Sequence, residues 1–129
     1  MTRRRIKLNA YSTAQALLIN AEMYGDEKGK EMSRFRFTRQ GLRMISGWAR
    51  LSVPFVVDVF SELDSMGWTA VELADAEFAA IQTSKLTVWP RLGWGRLKPL
   101  LRANDPERAI DEAFEELFPD FESELSLED

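Results

Sequence analysis

FTRQGLRMISGWARLSVPFVVDVFSELDSMGW, residues 37–68, is the stretch whose reading arranges the rest of the chain. Thr38 and Ser52 each stand where a helix needs a side-chain oxygen to accept from its first unpaired N–H groups. After Thr38, a short helix ending near Ala49 puts Leu42, Ile45 and Ala49 on its apolar side. Arg39, Arg43 and Arg50, spaced four and seven apart, then fall within a narrow sector of one face. Small Ser46 and Gly47 lie between them and leave room for a backbone to approach. After Ser52, Pro54 is tolerated in the first helical turn, and Gly67 closes the helix. Phe55, Val56, Val59, Phe60, Leu63 and Met66 give this second helix a broad face for burial.

Upstream, Ser12 is placed to cap a helix over 13–24, whose stripe is Ala14, Leu17, Leu18 and Ala21, with Gly25 suited to the position after its end. A polar loop, GDEKGKE, follows. Residues 32–37 then alternate, with Ser33, Phe35 and Phe37 on one side and Arg34 and Arg36 on the other, the pattern of a half-buried strand. Downstream, residues 68–73, 78–82 and 86–89 read as short strands, the last two joined through residues 82–85. In the last of them Leu86 and Val88 share one face, and Lys85, Thr87 and Trp89 the other. Asp105-Pro106 opens a final helix. Ala109, Ile110, Ala113, Phe114, Leu117 and Phe118 line one side of it, acids cover the remainder, and Pro119 stops it. The expected fold class is α+β: a small helical core with a short antiparallel sheet or hairpin, followed by an acidic C-terminal helix and tail.

At 129 residues and 45% hydrophobic, the chain is long enough for a genuine core. It has no Cys and no His. That excludes disulfides, Cys/His zinc sites, thiol nucleophiles and imidazole bases. No Gly-rich phosphate loop occurs either, and Gly93-Trp94-Gly95 is a turn carrying an aromatic. An enzyme is therefore not expected, and no catalytic residue, metal ligand or cofactor is assigned. No apolar run approaches the roughly 20 residues of a membrane span. The N-terminal MTRRRIKL lacks the apolar segment of a secretory signal, so a cytoplasmic location is expected, the host's if the source is viral.

The net charge of −4 averages two unlike regions. Residues 1–102 hold 16 Lys and Arg against 10 Asp and Glu, whereas residues 103–129 hold one Arg against 11 acids. A basic body with a separate acidic interaction tail is the expected organisation. Within the body, KLTVWPRLGWGRLKPLLR, residues 85–102, sets Trp89 and Trp94 among Lys85, Arg91, Arg96, Lys98 and Arg102, with no acid. Bases stack on such rings while cations track the phosphates. Arg34 and Arg36 on the strand, and Arg39, Arg43 and Arg50 on the helix, are the other candidate contacts, together with a basic arm of Arg3, Arg4, Arg5 and Lys7. One continuous groove is expected from them. Solvated surface charge is the competing explanation for each cluster taken singly.

The order helix, strand, helix, tight turn, helix, hairpin resembles that of winged helix-turn-helix domains, carried by residues 37–68 and a wing over 71–89, about half the chain. In that family the second helix of the pair enters the major groove. Here it offers Ser61 and Ser65 beside Asp58, Glu62 and Asp64, and no Lys or Arg occurs between Arg50 and Lys85. Acids there repel phosphate, and the bidentate base-reading side chains are missing. The acidic end is similar in character to the tails of bacterial and phage single-stranded DNA-binding proteins, which recruit partners. The resemblance implies partner contacts by Glu115, Glu116, Phe118, Phe121, Leu125 and Leu127.

The leading expectation is a non-enzymatic single-stranded DNA-binding cofactor of replication or transcription, with little sequence preference and a homo-oligomeric state favoured by the stripe from Ile110 to Phe118. Two rivals stand beside it. One is a winged-helix regulator of duplex DNA, using the N-terminal arm and wing cations. The other is a phage-type inhibitor of a host protein, acting through the acidic helix.

Overall fold

A computed structural model describes residues 6–121. The chain divides into two compact units, Met1–Trp89 and Pro90–Asp129. That division falls inside the basic, tryptophan-bearing stretch, whereas the change in charge comes after Arg102. The first unit contains α1 (Ala10–Lys28), β1 (Arg34–Thr38), α2 (Arg39–Ser46), α3 (Val53–Ser65), β2 (Trp68–Leu73), β3 (Glu77–Gln82) and the short α4 (Thr83–Leu86). It is the expected α+β class, and its order of elements is consistent with a small winged-helix-like fold.

The helix starts follow local chemistry. The Thr38 hydroxyl accepts from the Gly41 N–H at 2.9 Å, and Ser52 Oγ accepts from the Phe55 N–H at 3.2 Å. Each satisfies a donor that the helix cannot. α1 is longer than its apolar stripe indicated. Asn9, one turn earlier than expected, caps it by accepting from the Ser12 N–H at 2.8 Å, and it runs through Gly25 to a left-handed Gly29 with φ 66. Gly25 is buried within the helix, where a Cβ would lie 2.6 Å from the Lys30 carbonyl oxygen. It is there for close approach and not for termination.

The sheet is antiparallel, in the order β1-β3-β2. The β2–β3 hairpin turns through Ala74, Asp75 and Ala76, the last two with φ 60 and 58. β3 returns to pair with β1, aligning Phe37 with Phe78 and Phe35 with Ala80. The strand expected over 86–89, and its hairpin with β3, do not form. Both edges of β3 are occupied by β1 and β2, so no ladder is open to a further strand beside it. Instead the Thr83 N–H donates to the Gly67 carbonyl at 2.9 Å, the Thr69 and Thr83 hydroxyls lie 2.9 Å apart, and the Trp89 N–H donates to the Leu86 carbonyl at 3.1 Å. The chain winds into α4 and a turn. The core is made by Ala14 and Leu17 of α1, Leu42 of α2, Val56, Val59 and Leu63 of α3, and Phe78 of β3.

The second unit contains a 3-10 turn (Gly95–Leu97), α5 (Lys98–Leu101) and α6 (Pro106–Leu117). Asp105 caps α6 by accepting from the Arg108 N–H at 3.2 Å, with Pro106 in the first turn. None of its described residues is buried. Among the described residues of the whole chain, no helix is long and apolar enough to cross a membrane.

The left-handed Gly47, φ 81, ends α2 and brings the chain against its own N-terminal segment. A Cβ at Gly47 would sit 2.8 Å from the Ile6 carbonyl oxygen, whereas one at the equally left-handed Gly29 would meet nothing within 4 Å. Gly47→Ala is therefore expected to destabilise the fold by more than Gly29→Ala, whose cost is about 1–2 kcal/mol from backbone strain alone. Urea unfolding midpoints measure the difference; equal losses would contradict the close approach at Ile6.

Candidate nucleic-acid interface

On β1 the expected alternation is present. Arg34 and Arg36 are exposed, while Phe35 and Phe37 are half-buried on the opposite face. Arg36 reaches Glu77 only at 3.9 Å and its side chain is 71% exposed, so that pairing leaves it accessible. Arg39 is differently placed. Its guanidinium bonds Glu72 at 3.1 Å and lies 5.4 Å from the centre of the Phe78 ring, so its charge is largely committed within the fold. Arg43 Nε donates to Gln40 Oε1 at 3.2 Å along the same helix.

The row expected of Arg39, Arg43 and Arg50 is not formed. α2 stops at Ser46, and the left-handed Gly47 redirects the chain, so Arg50 does not continue the helical face. The space beside Ser46 and Gly47 is taken by the chain itself. The Leu8 N–H donates to the Ser46 carbonyl at 2.8 Å, Trp48 Nε1 donates to the Leu8 carbonyl at 3.0 Å, and Lys7 Nζ lies 4.7 Å from the centre of the Trp48 ring. Lys7 is thus drawn to a ring, a role that the sequence did not indicate. Arg3, Arg4 and Arg5 lie outside the described residues.

The four tryptophans separate into two kinds. Trp48 and Trp68 are half-buried, packed on Phe55 and Phe35 with ring centres 5.7 and 5.4 Å apart. Trp89 and Trp94 are 61% and 63% exposed. The expected strand whose polar side would carry Trp89 is absent, yet the ring is exposed all the same. Within the second unit Lys98 Nζ lies 5.6 Å from the centre of the Trp94 ring, and Arg96 Nη1 donates to the Gly93 carbonyl at 2.9 Å. Lys85 and Arg91 are exposed as well. Arg34, Arg36, Lys85 and Trp89 belong to the first unit, and Arg91, Trp94, Arg96 and Lys98 to the second.

α3 carries no cation. Its solvent side presents Val53, Val57, Asp58, Ser61 and Asp64, with Val53 76% exposed. A phosphate backbone gains nothing from such a surface. On α6, Glu115 and Glu116 are exposed, and Phe118 and Phe121 gather around Phe114, at 4.9 and 5.0 Å respectively. Phe114 is the centre of this cluster, a position that its place in the helical stripe alone did not reveal. Leu125 and Leu127 lie outside the described residues.

Because only Trp89 and Trp94 are largely solvated, replacing both with Phe should shift the remaining indole emission to shorter wavelength and lower its quenching by acrylamide. An unchanged spectrum and unchanged quenching would contradict this division of the tryptophans. No protein-family model, curated protein or solved structure matches this chain.

Proposed function

We propose that this protein is a non-enzymatic, single-stranded DNA-binding cofactor of replication or transcription, largely indifferent to sequence. The observation that carries this reading is the pair of exposed indoles, Trp89 and Trp94, in a segment rich in Arg and Lys and free of acid. Leaving two of the largest apolar side chains in water forgoes the burial that a core would give them. A base stacked on each restores that contact, and the neighbouring cations offset the phosphate charge. Arg34 and Arg36 supply a further accessible pair of charges on the first unit. The acidic α6 and the residues after it would engage a protein partner through the Phe114, Phe118 and Phe121 cluster and its flanking carboxylates. The exposed stripe on α6 is also a surface for self-association.

The second reading, a winged-helix regulator of duplex DNA, is favoured by the order of elements and the sheet order β1-β3-β2. Against it stand Asp58 and Asp64 on the solvent side of α3, where a reading helix would meet phosphates. A third, action purely as a protein inhibitor, has the aromatic cluster on α6 in its favour.

Titration of intrinsic fluorescence with a poly-dT oligomer and a duplex of equal length distinguishes the three. The expected result is quenching by the single strand at lower concentration than the duplex, weakened as salt rises. Trp94→Ala should then cost about 1–3 kcal/mol, or roughly five- to 150-fold in affinity. Tighter duplex binding would favour the second reading, and no response to either DNA would favour the third.

A further inference from the structure

β1 is an edge strand with an open groove beside it. Its one partner among the described residues is β3. The Gln82 N–H donates to the Ser33 carbonyl at 2.9 Å, and the Arg39 N–H to the Ala76 carbonyl at 2.9 Å. Because antiparallel pairs alternate, Ser33, Phe35 and Phe37 direct their backbone groups toward β3. Arg34 and Arg36 direct theirs the other way, toward an edge that no described strand occupies. Beside β1 lies a cleft of about 560 Å³, whose apolar wall is made by Leu17 and Ala21 of α1, Phe35 and Phe37 of β1, and Ile45 of α2, with Arg36, Thr38 and Glu77 also lining it.

A strand laid against this edge would sit about 4.8 Å from β1, with its side chains alternating between two environments. Those on one face enter the groove beside Phe35 and Phe37. Those on the other stand beside Arg34, which has no ion pair among the described residues, and Arg36, whose only ion pair there is the long one to Glu77. The two environments call for apolar and anionic side chains in strict alternation. We propose that the β1 edge is a docking site for an extended segment of a protein partner in which apolar residues alternate with Asp or Glu. Backbone hydrogen bonds along the edge supply the attachment, and the alternating pockets the selectivity. Arginines on a short edge strand also deter pairing with neutral or basic strands. Deterrence alone does not account for the open apolar groove, and the same charges favour an acidic strand. The inference goes beyond the nucleic-acid reading and stands apart from it, since its test contains no nucleic acid.

The test uses the full chain, isotopically labelled, and a short synthetic peptide of alternating Leu and Glu. Slower exchange of the Arg34 and Arg36 amides on adding the peptide is expected, with binding followed independently by fluorescence polarisation. A peptide of the same composition with Leu and Glu in separate blocks, and one alternating Leu with Lys, should bind much more weakly. N-methylation of the peptide at its Leu positions or at its Glu positions should abolish binding in one case and spare it in the other, because only one set of amides faces β1. Replacing both arginines, Arg34→Glu with Arg36→Glu, should weaken binding on the order of tenfold. Equal binding by the block peptide, equal effects of the two methylation patterns, or Arg34 and Arg36 amides already protected without peptide would each overturn the proposal.

Discussion

Phe78 is the contact through which the first unit holds together. It lies on the central strand at 0% exposure, stacked on Phe37 with ring centres 5.1 Å apart and edge-on to Phe60 of α3 at 5.7 Å. The Arg39 guanidinium closes over it from the start of α2. One ring therefore ties the sheet to both helices of the pair, and each aromatic contact adds about 0.5–1.5 kcal/mol beyond the area it buries. The Phe37–Phe78 pairing also sets the β1–β3 register. A slip by one residue would turn Arg34 and Arg36 into the core and Phe35 and Phe37 into water. The accessible charges on β1, and the apolar groove beside it, both follow from that register.

The order of elements and the distribution of charge point in different directions, and charge carries the functional weight. The helix pair α2–α3 has the sequence placement of a duplex reader, yet the solvent face of α3 carries Asp58 and Asp64 and no cation. Arg39 is spent on Glu72 and on the Phe78 ring. Among the candidate contacts, Arg34 and Arg36 on the sheet, Arg50 after α2 and the cations around Trp89 and Trp94 stay exposed to a polyanion. A fold of this kind serves many purposes, and function has to be read from the side chains that it leaves in water. The second unit makes the same point. None of its described residues is buried, and Phe114, Phe118 and Phe121 pack on one another while staying exposed.

Much of the architecture was legible wherever local chemistry dictates it. Thr38, Ser52 and Asp105-Pro106 cap helices as their side chains require, and the alternation around Arg34 and Arg36 identifies β1. Long-range pairing was less so. Leu86 and Val88 alternate with polar residues as a strand would, but β3 has already spent both edges on β1 and β2, and no local signal reports that. The β2–β3 turn uses left-handed Asp75 and Ala76 with no glycine, so the usual hairpin signal is missing. Gly25 resembles a helix stop in sequence, while in space it is the point where the chain after Gly29 crosses α1. For the candidate site, the outward β1 arginines were legible from alternation and the cation-rich setting of Trp89 and Trp94 from composition, but not the loss of the strand expected to carry Trp89. The diversion of Arg39 into an ion pair and the loss of Arg50 from the helical face depend on Glu72 and on the left-handed Gly47.

On the proposed function, nucleic acid meets the solvated indoles and not α3. Ultraviolet crosslinking of the full chain to a photoreactive single-stranded oligomer, followed by peptide mapping, tests it most directly. Crosslinks concentrated at Trp89 and Trp94, with a minor set at Arg34 and Arg36 on β1, are the predicted result. Crosslinks that fall on α3 from Val53 to Ser65, or that form only with duplex, would contradict binding by the indoles.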